Sequence, residues 1–225
     1  MSKGTQPSTY RLLDSGSFKK LEQIGPHIVV RPSPQAVWLP RLLKSDWDKA
    51  DFGFNRRSDG DGEWWNKSRI PESLVIDFAG VRFLIKFTSF GHIGLFPEQD
   101  KNWHQIDESV KRYSDGCRVL NLFGYTGGTT LTAAKAGASV THVDASKTSV
   151  AWAKENLQIA GLADQPVRFI CEDARKFVAK EIRRKQVYQG IVLDPAIKRG
   201  GLSGLYASIR RTSDVSAWSW ASISI

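Results

Sequence analysis

The run VLNLFGYTGGTTLTAAKAGASVTHVD, residues 119–144, decides how this chain folds. It opens on a short apolar segment of strand length and runs straight into a glycine-rich turn, Gly124-Tyr125-Thr126-Gly127-Gly128. TLTAAKAGA then reads as a helix ending at Gly137, and SVTHVD reads as a second strand. The alternation continues downstream. SKTSVAWAKENLQIAGL predicts a helix ending near Gly161, VRFICED a third strand, ARKFVAKEIRRK a helix and QGIVLDP a fourth strand. Strands and helices in strict alternation, with short connections, imply a parallel sheet covered by helices. Right-handed crossovers then bring the carboxyl ends of the strands to one rim.

Working outward, the segment FPEQDKNWHQIDESVKRY carries Trp103, Ile106 and Val110 at helical spacing, and Pro97, Glu98 and Asp100 suit a first turn. A helix is predicted over about residues 97–112. Residues 1–90 have a different texture. YRLLDS, KKLEQIG and HIVVRP are short and broken by Gly and Pro, while Pro32, Pro34 and Pro40 mark an extended stretch. SLVIDFAG and VRFLIKFTS predict a hairpin turning at Ala79–Gly80. The tail from Ala196 is Ser-rich. It could make a poor strand, but no convincing helix–strand pair follows the fourth strand. On this reading the sheet stops there, leaving the fourth strand as an exposed edge and the product prone to association.

Composition sets wide bounds. The 225 residues carry a formal charge of +9 and a pI of about 9.6. That balance favours polyanions, although residues 196–225 supply +3 of it. MSKGTQPSTY has no apolar core of a signal peptide, and no apolar run is long enough for a membrane helix, so a cytoplasmic protein is expected. Cys117 and Cys171 form no metal pattern and read as reduced core or near-core residues.

The strand ends carry the chemistry. A glycine-rich strand-to-helix turn lets a ligand approach the backbone and presents free N–H groups, although such turns also serve as packing devices. Asp144 ends the second strand, twenty residues after Gly124. A carboxylate there accepts hydrogen bonds from ribose hydroxyls, and it or Ser146 could equally cap the next helix. Asp173 ends the third strand, where an acid can bond an adenine amino group, and Asp194-Pro195 ends the fourth. A nicotinamide fingerprint does not call for the last two acids, which favours S-adenosylmethionine (SAM) over a nicotinamide oxidoreductase. His92 and His104 read as structural histidines, Trp64-Trp65 as anchors of the β-rich domain, and Arg183-Arg184-Lys185 as a solvated helix end.

With these residues in view, VLNLFGYTGGTTLTAAKAGASVTHVDASKTSVAWAKENLQIAGL and the upstream GHIGLFPEQ resemble the class I SAM-dependent methyltransferases of the 23S ribosomal RNA family that modify cytosine C5 or guanine N7. The match runs over roughly residues 20–195. The resemblance implies an α/β fold: a Rossmann-like SAM-dependent methyltransferase sheet with its C-terminal strands missing, and a small β-rich N-terminal domain. Its divisions would be an accessory domain over 1–92, the SAM-binding domain over 93–195 and an atypical tail over 196–225. It implies SAM lying across Asn121, Phe123, Gly124, Tyr125, Thr126 and Gly127, with Asp144, Ala145 and Ser146 at the ribose and Asp173 and Ala174 at the adenine. Phe96 and Gln99 would close the other side, and Asp194 and Pro195 would face the methyl group and the target base. It further implies RNA, ribosomal RNA above all, as partner.

Two departures stand out. The family shows a second proline after the aspartate, then an aromatic residue and a Gly-Arg-Gly segment, where this chain has Asp194-Pro195-Ala196-Ile197-Lys198-Arg199-Gly200-Gly201. A reading-frame shift near Ala196 is the hypothesis these departures suggest, and a SAM-binding remnant without methyl transfer is the alternative to an active methyltransferase. Neither cysteine follows the fourth strand, where the family places a nucleophilic thiol.

Overall fold

A computed structural model describes residues 9–57, 61–113 and 116–195 in full, and residues 213–221 as backbone. The chain divides into two compact units, Met1–Pro97 and Glu98–Ile225.

The first unit is built on a five-stranded sheet in the order β1-β2-β3-β4-β5. Its strands are β1 (Tyr10–Gly16), β2 (Lys19–Ile24), β3 (His27–Pro32), β4 (Phe52–Arg56) and β5 (Gly62–Trp65). The first three run antiparallel, β4 joins β3 in parallel, and a short helix α1 (Lys44–Trp47) lies in the connection. β6 (Leu74–Phe78) and β7 (Val81–Ile85) form the expected hairpin, with Ala79 and Gly80 both left-handed as a tight two-residue turn requires. Trp64 and Trp65 act as anchors. The buried Trp64 ring meets Phe52, Phe54 and Phe87 edge-on, its Nε1 donates to Thr88 O at 2.7 Å, and Trp65 covers Gly53. Inside the sheet Glu22, fully buried, accepts from Arg31 Nε at 2.7 Å and Nη2 at 2.8 Å, and from the Tyr10 hydroxyl at 2.9 Å.

The second unit opens with a 3-10 turn, Pro97–Gln99, whose proline lies in the first unit, and α2 (Asp100–Lys111), which buries the stripe Trp103, Ile106 and Val110. There follow β8 (Arg118–Leu122), α3 (Gly128–Lys135), β9 (Ser139–Asp144), α4 (Lys147–Ile159), β10 (Val167–Cys171), α5 (Ala174–Arg183) and β11 (Tyr188–Leu193). The sheet is parallel throughout, in the order β10-β9-β8-β11-β12. One face is a continuous core of Leu120, Leu122, Val143, Phe177, Val178, Ile191 and Leu193. Central parallel strands are covered on both faces, so β8 and β11 are almost wholly buried.

The expectation of an exposed fourth strand is overturned. β12 (Ser213–Ala221) pairs in parallel with β11, from Tyr188↔Ser213 to Leu193↔Ala221. The reason is physical: the backbone groups on the outer side of a buried strand need partners, and residues 194–212 are long enough for the crossover that a parallel return demands. Ser-rich composition hid a run of nine residues without Gly or Pro. The remaining expectations about the tail, including a frame shift near Ala196, concern residues 196–212 and 222–225, which lie outside the described residues.

Candidate cofactor site

The parallel register brings the carboxyl ends of four strands level: Leu122 neighbours Val143, Asp144 neighbours Cys171, and Leu193 neighbours Leu122. The glycine-rich loop, Asp144, Asp173 and Asp194 therefore stand on one rim. In doubly wound sheets this rim, at the point where strand order reverses, is where ligands bind. Here the reversal lies between β8 and β11.

The loop is tightly wound. Phe123, Tyr125 and Gly127 all have left-handed backbones, with φ of 59, 48 and 96°. For non-glycine residues such a conformation costs roughly 1–3 kcal/mol and persists only where neighbours over-determine it. Three contacts do so. Asp144 Oδ2 accepts from Tyr125 N at 2.9 Å, Gly124 N donates to Val143 O at 3.0 Å, and the buried Asn156 of α4 donates from Nδ2 to Thr126 O at 2.8 Å. The other Asp144 oxygen accepts from Ser146 N at 2.8 Å. Each carboxylate oxygen keeps a second lone pair, which suits the hydroxyls of a ribose.

Capping divides between the strand ends. Ser146 caps α4 by accepting from Ser149 N at 3.2 Å, and Asp173 caps α5 by accepting from Lys176 N at 3.0 Å. Ala145 is exposed beside Ser146, and Ala174, the first residue of α5, is buried. On the other flank Gln99, buried, donates from Nε2 to Asp194 Oδ2 at 3.1 Å, while Asn102 Nδ2 donates to Gln99 Oε1 at 2.6 Å. Two residues given different parts by the sequence thus meet in one hydrogen bond. Pro195 is buried beside them in sequence. Phe96 belongs to the first unit, half-buried with its ring edge-on to His92.

Sequence reasoning missed the layer beneath the loop. Asn121 of β8, already expected at the site, donates from Nδ2 to Thr130 Oγ1 at 2.9 Å, and Thr130 Oγ1 is hydrogen-bonded to His142 Nδ1 at 2.9 Å. All three are buried, and burial pushes the His142 pKa down to about 4. The available signal was weak: a histidine between Thr141 and Val143 near the end of SVTHVD, whose burial the sequence does not show. Elsewhere, His104 is exposed on α2 and sits 3.2 Å from the Asp100 carboxylate, as a structural histidine. Arg184 pairs with the buried Glu181 at 3.0 Å. Cys117 is buried, which raises its thiol pKa. Cys171 departs from the core reading: it is exposed, because β10 is the outer strand of the sheet.

A doubly wound α/β sheet with a left-handed glycine loop and acids on successive strand ends defines a nucleoside-cofactor domain. A family model described as S-adenosylmethionine-dependent methyltransferase matches residues 18–214, and the chain belongs to that family. It is 32% identical over 168 residues to a protein named ribosomal RNA large subunit methyltransferase K/L from Shewanella sp. (strain ANA-3), across 73% of this chain and 23% of that protein. The protein of the same name from Colwellia psychrerythraea is 31% identical over 159 residues, across 70% of this chain and 21% of its own. The chain thus spans less than a quarter of either relative. The crystal structure of a SAM-dependent methyltransferase from Agrobacterium tumefaciens superposes with a TM-score of 0.87 at 40% identity, covering 100% of this chain and 76% of that one. SAM is the cofactor of the family, and the donor set fits it: the Asp144 carboxylate at the strand end has lone pairs to spare for ribose hydroxyls. No helix among the described residues is long and apolar enough to cross a membrane.

Proposed function

We propose that this chain transfers a methyl group from SAM to a base of large-subunit ribosomal RNA, in the cytoplasm. The observation that carries this reading is the convergence of Gly124–Gly127, Asp144, Asp173 and the Gln99–Asp194 pair on one strand-end rim. The names of the relatives and a net charge of +9 support RNA as the substrate class.

In this reading the loop from Asn121 to Gly127 cradles the cofactor. Asp144, Ala145 and Ser146 line its ribose side, with the Asp144 carboxylate accepting from the hydroxyls. Asp173 and Ala174 line the adenine side, where the Asp173 oxygens accept from the amino group. Gln99 closes the opposite side. The cofactor supplies an activated methyl group on a sulfonium sulfur, so the protein's task is mainly to hold the acceptor atom in line. Asp194, braced by Gln99, orients the target base or takes its proton, and Pro195 stiffens the turn beside it. The Met1–Pro97 unit serves as the accessory domain for RNA.

The test couples binding to transfer. SAM is titrated calorimetrically into the chain and into Asp144→Ala, and methyl incorporation from labelled SAM is followed on unmodified ribosomal RNA. Binding abolished by the substitution, together with incorporation into RNA, is the expected outcome. Binding without incorporation into any ribosomal RNA would leave the SAM-binding remnant in its place.

A further inference from the structure

His142 lies beneath the loop, and the proposed reaction leaves its chemistry unused. It is fully buried, and its Nε2 has no hydrogen-bond partner among the described residues. An unpartnered buried polar atom costs roughly 1–3 kcal/mol, so stability alone would favour an apolar side chain at this buried position. The ring is held at Nδ1 and packed against one aromatic neighbour. Thr130 grips Nδ1 at 2.9 Å, Asn121 grips Thr130 at 2.9 Å, and the Phe169 ring lies 5.1 Å away across the neighbouring strand.

Directly over the ring is Gly124. A Cβ built there would stand 2.4 Å from His142 Cε1 and 2.5 Å from Nδ1, closer than real Cβ contacts come. The Gly124 backbone is not left-handed, unlike those of Phe123, Tyr125 and Gly127 on either side. The conformation of the chain therefore does not require glycine at this position, but the imidazole does. Gly124 is also pinned from N to Val143 O at 3.0 Å, one residue along the strand from His142.

We propose that His142 is a positioning residue of the cofactor site: its imidazole, locked by Thr130 and Asn121, is the floor that sets the height of the glycine-rich loop and makes glycine obligatory at position 124. The inference rests on the reading that this loop holds SAM. His142 touches the loop, not the cofactor, and acts by fixing the backbone groups at Gly124 and Tyr125. Burial keeps the imidazole neutral at physiological pH.

The experiment is a double-mutant cycle read by calorimetric SAM titration at pH 7.5, with thermal unfolding run on every variant. Gly124→Ala should weaken SAM binding about 30-fold and His142→Ala about fivefold, while the double variant should bind within about threefold of His142→Ala, because removing the ring makes room for the new methyl. His142→Asn, which keeps a polar atom for Thr130, should recover most of the affinity. Losses that multiply in the double variant would overturn the proposal. If Gly124→Ala does not fold, the decision falls to His142→Ala and to the ring ¹⁵N signals of the unmodified chain. Those signals should move on SAM addition, and unmoved signals with affinity within about twofold of the parent sink the idea. An unmodified chain that binds no SAM overturns the reading of the loop itself; one that binds while the cycle is additive overturns only the role of His142.

Discussion

Asp144→Asn removes a charge and one hydrogen-bond acceptor while leaving the shape of the side chain almost unchanged. In the native protein Oδ1 accepts from Ser146 N at 2.8 Å and Oδ2 from Tyr125 N at 2.9 Å. An asparagine can satisfy only one of these. If its oxygen faces Ser146, its amide N–H₂ faces the Tyr125 N–H, and two donors oppose each other. A hydrogen bond to a charged group contributes about 1.5–3 kcal/mol. Its loss also releases Tyr125, whose φ of 48° is unfavourable without that tether. The cofactor then has to re-form the loop and loses the charged acceptor for its ribose, so SAM affinity should fall by about 10- to 150-fold. Calorimetric titration of parent and variant reads this directly. Amide exchange at Tyr125 should accelerate in the cofactor-free variant while β8 and β11 keep their protection. An affinity within about threefold of the parent, in a variant that melts like the parent, would refute the reasoning, because Asp144 would then be neither clamp nor ribose acceptor.

Three further outcomes follow from the same contacts. Glu22→Ala strands Arg31 in the core of the first unit and should cost about 3–5 kcal/mol by urea unfolding; a loss under about 1 kcal/mol would mean the pair is not the brace its geometry suggests. Gln99→Leu frees Asp194 from its 3.1 Å tether and should lower kcat/KM for RNA about tenfold, with SAM affinity changing less than turnover; equal losses in both would place Gln99 on the cofactor alone. The depressed His142 pKa means that the unfolded chain binds the extra proton between pH 6.5 and about 4. The stabilisation from this group is therefore complete above pH 6.5 and is lost as pH falls towards 4, at up to about 1.4 kcal/mol per pH unit. Urea unfolding at pH 7 and pH 5 should show that loss in the parent and a smaller one in His142→Gln; identical slopes would mean that His142 does not titrate on unfolding.

The alternation of strand and helix, the stripe Trp103–Ile106–Val110 and the hairpin at Ala79–Gly80 were legible because each depends on local periodicity or on a turn that few residues tolerate. Asp144, Asp173 and Asp194 were legible as strand-end acids because a parallel sheet sends every strand the same way. The tail read as no more than a poor strand, and its pairing as β12 was not legible, since a strand that completes a sheet edge is selected by the partner that needs it, and Ser-rich alternation carries little apolar signal. Cys171 read as buried because its strand is apolar, but burial of a strand depends on whether a neighbour lies on both sides, and β10 has one.

From the sequence alone came the class of fold, the cofactor and the order of the elements, because hydrophobic period and glycine placement act within a few residues of themselves. The tertiary structure decided which polar atoms meet. The 3.1 Å contact from Gln99 to Asp194 joins residues 95 apart, and the chain Asn121–Thr130–His142 joins two strands through a helix. It also decided why position 124 is glycine. Local rules assign that residue to backbone freedom, but the imidazole packed beneath it, brought there by the pairing of β8 with β9, leaves no room for anything larger.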